Sequence, residues 1–546
     1  MSEQPVATYD VVVLGTGASG LTAALAAASE GATVGLFEKT DRVGGTTALS
    51  GGVVWLPDNR YAADAGVEDS RDKALTYLRS LSNGTMRPEM VEAFVDGVDD
   101  LLDWLDKTPL RLRLVPRYPD YHPEHPGGLP GGGRSLEPEL TSTDPLGPWA
   151  ERLEGDGPRR FLIGDIPSGG GTGVIPQDVM AEREAGHFEG LGRGLVAGLL
   201  QGCLEAGIEP RLQMRARDLV VEDGRVAGVR FDTPDGSVEV RARRAVVLAT
   251  GGFEWDPDLV SGFLRGPIHH PPTSRANTGD GLRMAMAQGA SLGTMPYAWW
   301  VPVVAPAGKT NPDGTQASSL LLRERTLPGT IMVNRQGKRF ANEAANYNAL
   351  GAALHEFDVT QFRFANIPAW LILDGACVRE YGCFGVAPGQ EPPTWLVRAE
   401  TLEALATAID VPAGSLTATV AHWNEQVVRG RDEVFHRGES MYDGWCGDQR
   451  HYGTPQATLG TVSEGPFYAA SVHASTLGTK GGPLTSTEGA VLDLRGEPVP
   501  GLFAAGNVMA APTGMVYGGA GGTLGPAMVF GQKAGRAAAS CGDPAA

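Results

Sequence analysis

Short apolar runs that end in glycine alternate with alanine-rich stretches in the first part of the chain. The run Val11 to Val13 predicts a buried parallel strand, and the stretch from about Leu21 to Glu30 predicts a helix. A second strand is expected from Thr33 to Phe37. Strands that alternate with helices favour an α/β fold built on a parallel sheet.

The same reading extends towards the middle and the end of the chain. A helix is predicted at about 193–206, and Glu222-Asp223-Gly224 predicts the turn of a β-hairpin between 219–221 and 226–231. Two further, separate strands are expected, one at 238–241 and one at 245–252 that ends in glycines. Near the end, 502–505 is again a strand that runs into glycine, and the segment 521–525 is expected to open a last helix that continues to about Ser540.

Length and charge narrow the class of protein. The chain has 546 residues, which predicts more than one domain. Apolar residues make up 42% and charged residues 20%, an ordinary globular composition. The formal net charge of −19 argues against nucleic acid and anionic membranes as partners, and suits a small neutral substrate.

Cysteine usage and the N-terminus indicate the compartment. The five cysteines contain no C-x-x-C pair, so a disulfide framework, a zinc knuckle and a haem attachment site are not expected. The first residues, MSEQPVATYD, lack a basic segment and a twin arginine, and no apolar run is long enough for a membrane span. We therefore expect a cytoplasmic protein, with peripheral membrane contact left open.

The N-terminal strand and helix enclose a dinucleotide-binding motif. Gly15 permits a tight turn, Gly17 lets the backbone approach a pyrophosphate, and Gly20 allows close packing of helix on strand. The helix N-terminus offers N–H groups to phosphate. Glu38, at the end of the second strand, is expected to accept hydrogen bonds from ribose hydroxyls.

A second glycine-rich loop follows the acidic residue, and this pairing resembles the FAD-dependent fumarate reductase and flavocytochrome c superfamily. FAD extends beyond the pyrophosphate and needs such a second loop, so non-covalent FAD is predicted. Asn277 to Gly281 resembles the superfamily loop whose aspartate lies near the FAD. The predicted cofactor-binding residues are Gly15, Gly17, Ala18, Ser19, Gly20, Glu38, Lys39, Gly45, Thr46, Thr47, Ser50, Gly51, Gly52, Gly251, Asp280, Gly506, Asn507, Gly522, Thr523 and Leu524.

Taken together, motifs along essentially the whole chain resemble the 3-ketosteroid Δ1-dehydrogenases. The matching segments are 119–123, 328–334, 339–343, 435–438, 477–482 and 505–507. The resemblance implies a discontinuous Rossmann-like FAD-binding domain at 1–297 and 477–546. An inserted α+β catalytic domain at 298–476 would cap the flavin. In such flavoproteins the last helix points its N-terminus at the flavin.

The resemblance also assigns the chemistry. The family's three tyrosines and one glycine fall on Tyr121, Tyr347, Tyr517 and Gly521. They imply FAD-dependent dehydrogenation next to a ring ketone. Tyr347 would take the α-proton with help from Tyr121, because a phenol is a poor base at neutral pH. Tyr517 and Gly521 would donate hydrogen bonds to the carbonyl oxygen, and the β-hydride would go to flavin N5.

Two departures from the family pattern bear on substrate choice. Tyr517-Gly518-Gly519-Ala520-Gly521 stands where many members have Tyr-Pro-Gly-Pro-Gly, and the lost prolines predict a more flexible loop. His122 stands where a second tyrosine is common. The Pro/Gly-rich segment 122–192 is equally compatible with a surface insertion and with a lid over the substrate.

Other functions remain open. A desaturase for a smaller ring ketone, such as a cyclohexanone or 4-oxocyclohexanecarboxylate, would use the same tyrosines. A carboxylate substrate would need Arg113, Arg323 or Arg325 in the pocket. A fumarate reductase is disfavoured because 295–300 lacks the expected His, and a flavin sensor is disfavoured because it needs no proton acceptor. The external electron acceptor, a quinone or another compound, is not identified.

Several conspicuous residues receive structural interpretations. His269-His270 has no third ligand nearby in sequence, so no metal site is predicted. Trp55 and Trp299-Trp300 are expected in the core or the pocket wall. His436-Arg437 is interpreted as a structural hydrogen-bonding pair.

Overall fold

The computed structural model describes residues 7–311 and 313–542. The expectation of no signal peptide depends in part on residues 1–6, which lie outside the described residues. The strands are β1 Thr8–Leu14, β2 Val34–Phe37, β3 Val54–Trp55, β4 Leu112–Leu114, β5 Ser135–Pro138, β6 Thr141–Ser142, β7 Phe188–Glu189, β8 Arg215–Glu222, β9 Arg225–Thr233, β10 Gly236–Leu248, β11 Leu292–Gly293, β12 Ala298–Val304, β13 Ser319–Leu320, β14 Thr330–Asn334, β15 Phe357–Asp358, β16 Arg363–Phe364, β17 Ala369–Leu373, β18 Val397–Ala399, β19 Phe467–Thr479, β20 Gly482–Pro483, β21 Ala490–Leu492 and β22 Pro498–Ala504. The helices are α1 Ala18–Ser29, α2 Gly45–Leu49, α3 Arg60–Asp64, α4 Arg71–Leu81, α5 Pro88–Asp96, α6 Val98–Leu105, α7 Gln177–Ala185, α8 Leu191–Glu205, α9 Pro257–Phe263, α10 Asp280–Ala287, α11 Tyr347–Ala353, α12 Gly375–Tyr381, α13 Leu402–Ala408, α14 Ala413–Arg429 and α15 Leu524–Ser540.

The first sheet carries the strands predicted from the buried apolar runs. Its main path is β2-β1-β10-β22-β21, in which β2, β1, β10 and β22 are parallel. Val11 to Val13 pair with both β2 and β10 and are fully buried. A strand that is covered on both faces is apolar at successive positions, which explains the unbroken β-branched run. The predicted α/β fold is confirmed.

The predicted hairpin is present, but one strand prediction is wrong. The β8–β9 hairpin turns at residues 223–224. The two strands expected at 238–241 and 245–252 are one continuous strand, β10, which ends at Leu248. Its first half pairs antiparallel with β9, while its second half pairs parallel with β1. Arg243 and Arg244 hide this continuity in the sequence, because they interrupt the apolar pattern while remaining in the strand.

Two glycine-bearing helices bring the ends of the chain together. Helix α15 packs along α1, and Gly531 and Gly535 face it so closely that a Cβ there would lie 2.7 Å from Ser19 O and 2.3 Å from Ala23 O. This contact places the middle of α15 at the start of α1, so the N-terminal part of α15 extends beyond the glycine-rich turn. The last helix therefore packs with the first strand and the first helix in one part of the fold, although they lie at opposite ends of the chain.

The second sheet comes from the middle of the chain. Its path is β13-β12-β19-β17-β14, with β18 on β19, and each pairing is antiparallel. All its strands lie within 298–479, whereas the strands of the first sheet lie within 8–14, 34–37, 215–248 and 490–504. The division of the chain into domains at 297 and 476 stays a prediction.

The segment 122–192 is not uniform. Its early part is buried beside the site described below: Arg134 and Ser135 are almost fully enclosed, and β5 pairs with β3 and β4. Its later part consists of loops and the 3-10 helices Asp144–Arg152, Ile163–Asp165 and Pro167–Gly169 before α7, and Val174 is 74% exposed. Within residues 7–311 and 313–542, no helix is both long and apolar enough to cross a bilayer.

Candidate active site

The turn between β1 and α1 leaves room only for glycine. Gly15 has a φ of +106°, and a Cβ there would lie 2.4 Å from Ala249 O. A Cβ on Gly20 would lie 2.0 Å from Gly15 O, so the helix approaches the turn as closely as the motif requires. The local geometry is therefore that of a dinucleotide-binding turn.

The N-terminus of α1 is open to an anion. Gly17 occupies the N-cap and provides no side-chain cap. The amides of Ser19 and Gly20 donate no hydrogen bond to any residue in the described part of the chain. Gly506 comes close to this helix end, because a Cβ on it would lie 2.5 Å from Ser19 Oγ. Unpaired N–H groups and the helix dipole fit a pyrophosphate at this point.

Glu38 is held by the turn that it follows. Its Oε2 accepts hydrogen bonds from Thr16 N at 3.1 Å and Thr16 Oγ1 at 2.7 Å, and its Oε1 accepts one from Thr40 N. The side chain is buried, so its orientation is set before any ligand arrives. Its contact with a ribose stays a prediction.

The second glycine-rich loop reaches the same helix end. Thr47 Oγ1 accepts a hydrogen bond from Ala18 N at 3.0 Å. Ser50 Oγ accepts one from Gly52 N, and Gly52 has a φ of +67° against the backbone of Leu191. Gly45 also has a positive φ, of +46°, while Gly51 lies beside Gly52 in this loop.

A polar network connects that loop with the end of β10. Thr46 Oγ1 accepts hydrogen bonds from Ser274 N and from Asn277 Nδ2, and Asn277 also donates to Glu254. Gly251 approaches the same asparagine, because a Cβ on it would lie 2.4 Å from Asn277 Oδ1. Residues distant in sequence but predicted to share the cofactor are thereby close together.

Asp280 is the centre of an ion-pair cluster. Lys39 Nζ lies 3.0 Å from its Oδ2, and Arg215 binds both of its oxygens. Burial alone would raise the pKa of Asp280, but hydrogen bonds from Arg215 and the charge of Lys39 outweigh it, and the pKa is lowered. The aspartate is therefore ionised and fixed at the start of α10.

The three predicted tyrosines meet in one buried cluster. Tyr121 OH donates to Tyr347 OH at 2.6 Å, and Tyr347 OH donates to Tyr517 OH at 3.1 Å. Thr523 Oγ1 also donates to Tyr517 OH, at 3.3 Å. Since Tyr517 accepts both hydrogen bonds, its own proton is available to another acceptor.

Burial makes these phenols weak acids. It raises the pKa of Tyr121, Tyr347 and Tyr517, and the neighbouring tyrosines raise the first two further. All three are therefore neutral near pH 7 in this structure. Any ionisation of Tyr347 has to be stabilised locally, and the 2.6 Å hydrogen bond from Tyr121 is the contact that can do this.

Gly521 provides a second donor, directly before Gly522, where a Cβ would lie 2.9 Å from the Tyr517 ring. The φ of Gly521 is +92°, and a Cβ on it would lie 2.5 Å from Trp55 N and Val53 O. Its amide donates to no acceptor within residues 7–311 and 313–542. Gly522 and Thr523 lead from it directly into α15, which begins at Leu524. The cluster therefore presents one hydroxyl and one amide donor at a helix N-terminus.

The loop that lacks the family's prolines is fastened by hydrogen bonds from other segments. Tyr77 OH and Tyr121 N both donate to Gly518 O, at 2.6 Å and 2.9 Å. Ser135 Oγ donates to Ala520 O. These contacts restrict a loop for which the sequence predicts flexibility, and the sequence carries no signal for them.

A buried ion pair lies beneath this loop. Arg134 Nη1 lies 2.7 Å from Asp120 Oδ2, and its Nη2 lies 2.6 Å from Asp69 Oδ1. Trp55 Nε1 donates to Asp120 Oδ1 at 2.9 Å. Asp120 directly precedes Tyr121, so this pair holds the backbone that carries the tyrosine.

Lys480 is a site residue that the sequence reasoning missed. The side chain is fully buried, and its Nζ donates to Met515 O and Val516 O, each at 2.8 Å. The same nitrogen lies 3.9 Å from the centre of the Trp299 ring. It forms no ion pair within the described residues, and burial lowers its pKa far below the ordinary value. Its occurrence in the Leu477 to Gly482 segment was the available signal.

The remaining predictions have simpler outcomes. Asn507 Oδ1 accepts a hydrogen bond from Trp299 Nε1, which ties the predicted cofactor loop to the tyrosine cluster. Arg437 is fully buried and donates to Thr330 O and Leu327 O, so it is structural. His436 is on the surface facing Glu439, so the two neighbours do not act as a pair.

Comparisons with known proteins agree with this architecture. The FAD binding domain family matches residues 10–524. The chain is 40% identical to a 4-oxocyclohexanecarboxylate 2-dehydrogenase of Sinomonas cyclohexanicum, over 97% of this chain and 93% of that protein. It is 39% identical to a 3-oxosteroid 1-dehydrogenase of Mycolicibacterium smegmatis, over 96% of each.

A solved structure is similar over nearly the full length. It is the 3-ketosteroid Δ1-dehydrogenase of Sterolibacterium denitrificans in complex with 1,4-androstadiene-3,17-dione, with a TM-score of 0.88 and 34% identity. The match covers 98% of this chain and 99% of that one. The resemblance inferred from the motifs and the prediction of FAD are confirmed by these matches.

Proposed function

This chain belongs to the FAD binding domain family, and on that basis we propose that it dehydrogenates the C–C bond next to a ring ketone. The first candidate reaction is 3-ketosteroid Δ1-dehydrogenation. The observation that carries the proposal is the buried chain of hydroxyls from Tyr121 through Tyr347 to Tyr517, next to the free amide of Gly521. Bound FAD supplies the acceptor for the hydride that leaves the β-carbon.

Two tyrosines are proposed to remove the α-proton. We assign Tyr347, ionised to a tyrosinate before the step, as the acceptor of the α-proton, and Tyr121 as the donor that stabilises this tyrosinate. The direction of the 2.6 Å hydrogen bond suits this division, because Tyr121 donates to the oxygen that would become negative. Hydrogen bonds to charged groups contribute about 1.5–3 kcal/mol, more than bonds between neutral groups.

Tyr517 and Gly521 are proposed to bind the carbonyl oxygen of the ketone. Removal of an α-proton places negative charge on the ketone oxygen, and two preorganised donors stabilise that charge. Tyr517 accepts a hydrogen bond from Thr523 that does not depend on the protonation of Tyr347, and this leaves the proton of Tyr517 for the ketone oxygen. The loss of such a donor costs about 2.7–4 kcal/mol in other enzymes. Gly17, Gly20, Glu38 and the other predicted cofactor residues are proposed to hold the FAD.

Relatives of two kinds support the ketone and leave the ring system to be tested. One acts on 4-oxocyclohexanecarboxylate by its name and another on 3-oxosteroids, at nearly equal identity. The steroid reaction is preferred because the similar solved structure, which is matched nearly end to end, holds a steroid. We further propose an external acceptor, a quinone or another compound, for re-oxidation.

A second candidate function is favoured by one arginine. Arg113 is half exposed at 3.9 Å from Glu137, and Arg323 donates to Tyr381 O near the surface. Arg325, in contrast, is 1% exposed, and its charge acts to lower the pKa of Tyr442, against the larger effect of burial. The ring centre of Tyr442 is 5.0 Å from that of Tyr121.

The bonding of Arg325 leaves one edge of the guanidinium available. Its Nε and Nη1 donate to backbone oxygens of Leu321, Glu343 and Ala345, whereas its Nη2 donates to no residue in the described part of the chain. A buried guanidinium edge close to the tyrosines suits a carboxylate. It supports a 4-oxocyclohexanecarboxylate-type substrate as the alternative.

The test is anaerobic bleaching of the oxidised flavin band by three ketones. A 3-keto-4-ene steroid, cyclohexanone and 4-oxocyclohexanecarboxylate are mixed separately with purified holoenzyme. Fast bleaching by the steroid alone supports the first candidate. Fast bleaching by the oxo acid, with cyclohexanone much slower, supports the second and the role of Arg325. No bleaching by any of them would overturn ketone dehydrogenation.

A further inference from the structure

Three potential metal ligands meet directly after Tyr121. One donor atom from each of His122, Glu124 and His125 lies within 4.8 Å of the other two. In the described part of the chain, no other three His, Cys, Asp or Glu side chains bring their ligand atoms so close together. We propose that these residues bind a divalent transition-metal ion, Zn²⁺ foremost, and that the bound metal inhibits the enzyme through Asn346.

The ligand set suits this class of ion. Two imidazoles and one carboxylate are ligands that zinc takes in sites that keep a position open for water. Glu124 is exposed and His122 is partly exposed, with side-chain exposures of 55% and 29%, so an ion can enter. Burial alone would raise the pKa of Glu124, but the nearby His122, the backbone and the hydroxyl of Ser440 together outweigh it, and the pKa is lowered.

Two of the three ligands are already held by neighbouring hydroxyls. Ser440 Oγ donates to Glu124, and Ser80 Oγ lies 3.2 Å from His125 Nδ1. Contacts of this kind orient metal ligands in proteins, and their loss typically costs about 10–100-fold in affinity.

The turn itself is fixed by the backbone. His125 N donates to His122 O, and Gly128 N donates to His125 O. Gly127, with a φ of +82°, lies so close to α4 that a Cβ would be 2.3 Å from Lys73 O. Little ordering is therefore left for the metal to impose.

Asn346 connects this cluster to the tyrosines. Its Nδ2 donates to Tyr121 O at 3.1 Å as well as to His122 Nε2, and its Oδ1 caps α11 by accepting from Ala349 N. Tyr347 is the first residue of that helix. The side chain of Asn346 thus spans both members of the Tyr121–Tyr347 pair.

Metal binding conflicts with this arrangement. The nitrogen of His122 that faces Glu124 is Nδ1, at 3.9 Å. A metal on Nδ1 takes the lone pair there and leaves the ring proton on Nε2. That N–H would then face the donor Nδ2 of Asn346. The amide cannot turn over without releasing the cap of α11, so bound metal disturbs Asn346 and with it the spacing of Tyr121 and Tyr347.

The test uses metal-free holoenzyme and two readouts. Zn²⁺ and Ni²⁺ are titrated by calorimetry, and turnover with a ring ketone is measured at the same metal concentrations, each variant relative to its own metal-free rate. Glu124→Gln and His125→Gln remove one ligand each while they keep a polar side chain of similar size. His270→Ala is the control, since it removes a histidine elsewhere on the protein.

The proposal is supported if the wild type binds one equivalent of metal and loses turnover at the same metal concentration. Both ligand variants should weaken these two effects by about tenfold or more, and the control variant should not. No binding by the wild type overturns the site, as does equal binding by the ligand variants. Binding without loss of turnover overturns the inhibition. The inhibition rests on the proposed function, whereas metal binding is measured by calorimetry without any ketone. If the metal-free enzyme does not turn over a ring ketone, the proposed function has failed and the metal site is still tested by calorimetry.

Discussion

Tyr121 OH and Tyr347 OH lie 2.6 Å apart, although 226 positions separate them in the chain. Tyr121 follows the buried Asp120–Arg134 ion pair, and Tyr347 opens α11. Their rings meet edge to face at a centroid distance of 5.2 Å. Two separately anchored segments thus hold one proton-transferring pair at fixed separation, which is the preorganisation that general base catalysis requires.

Replacement of the base should slow turnover by orders of magnitude and leave the cofactor bound. Tyr347→Phe keeps the ring that packs among Tyr121 and Tyr517 but removes the proton acceptor. We expect FAD to remain bound and the rate of flavin bleaching by substrate to fall by about 10²–10⁴-fold. Tyr468→Phe, a change at another buried tyrosine, serves as the control. Wild-type bleaching rates in the Tyr347 variant would remove this residue from the mechanism.

Replacement of its partner should have a smaller effect. Tyr121→Phe removes the hydrogen bond that stabilises the tyrosinate, which is worth about 1.5–3 kcal/mol. Turnover should therefore fall by roughly 10–100-fold while some activity remains. Stopped-flow bleaching at saturating ketone measures it. A loss as large as that in Tyr347→Phe would contradict this division of roles between the two tyrosines.

The pH dependence follows from the direction of one pKa shift. Burial and the charge of neighbouring tyrosines raise the pKa of Tyr347 well above 10. The active form is the ionised one, and its fraction grows tenfold per pH unit as long as the pH is below that pKa. We expect kcat/KM to rise from about pH 6 to 9 without a plateau. A profile that is flat over this range would indicate another proton acceptor.

Lys480 should support both stability and activity. Lys480→Met keeps the volume but leaves Met515 O and Val516 O without their donor. A buried acceptor without a partner costs about 1–3 kcal/mol, so the free energy of unfolding should fall by that order. Turnover should fall as well, because Tyr517 follows these carbonyls directly. Urea unfolding and steady-state rates measure the two effects.

The matched control for that change is Lys533→Met, on a partly exposed lysine that faces Glu488 at 3.6 Å. A surface change of this kind should stay within about 0.5 kcal/mol. If both variants were equally stable and equally active, the buried contacts of Lys480 would have no role in holding Tyr517.

The ion pair beneath the loop should be important for stability. Arg134→Met removes the cation between Asp69 and Asp120 and leaves two buried carboxylates without their partner. Breaking a buried pair from one side costs about 3–5 kcal/mol. We expect a corresponding shift of the urea unfolding curve. Arg60→Met, which breaks exposed pairs with Asp103 and Asp106, should shift it by at most about 1 kcal/mol.

The sequence alone determined the features that depend on local backbone geometry. Gly15 and Gly20 had to be glycine for a tight turn and a close helix, and the apolar run at Val11 to Val13 had to be a strand covered on both faces. Similarity of motifs also singled out Tyr121, Tyr347 and Tyr517 as one set. These inferences succeed because residue type and short spacing restrict conformation directly.

Only the tertiary structure decided how distant segments meet. It joined two predicted strands into β10, placed Lys480 under the carbonyls before Tyr517, and brought Arg134 to Asp120. It also set His122 against Asn346, a contact that neither segment predicts. Side-chain partners of this kind depend on packing between remote parts of the chain, and the order of residues along the sequence carries no direct record of that packing.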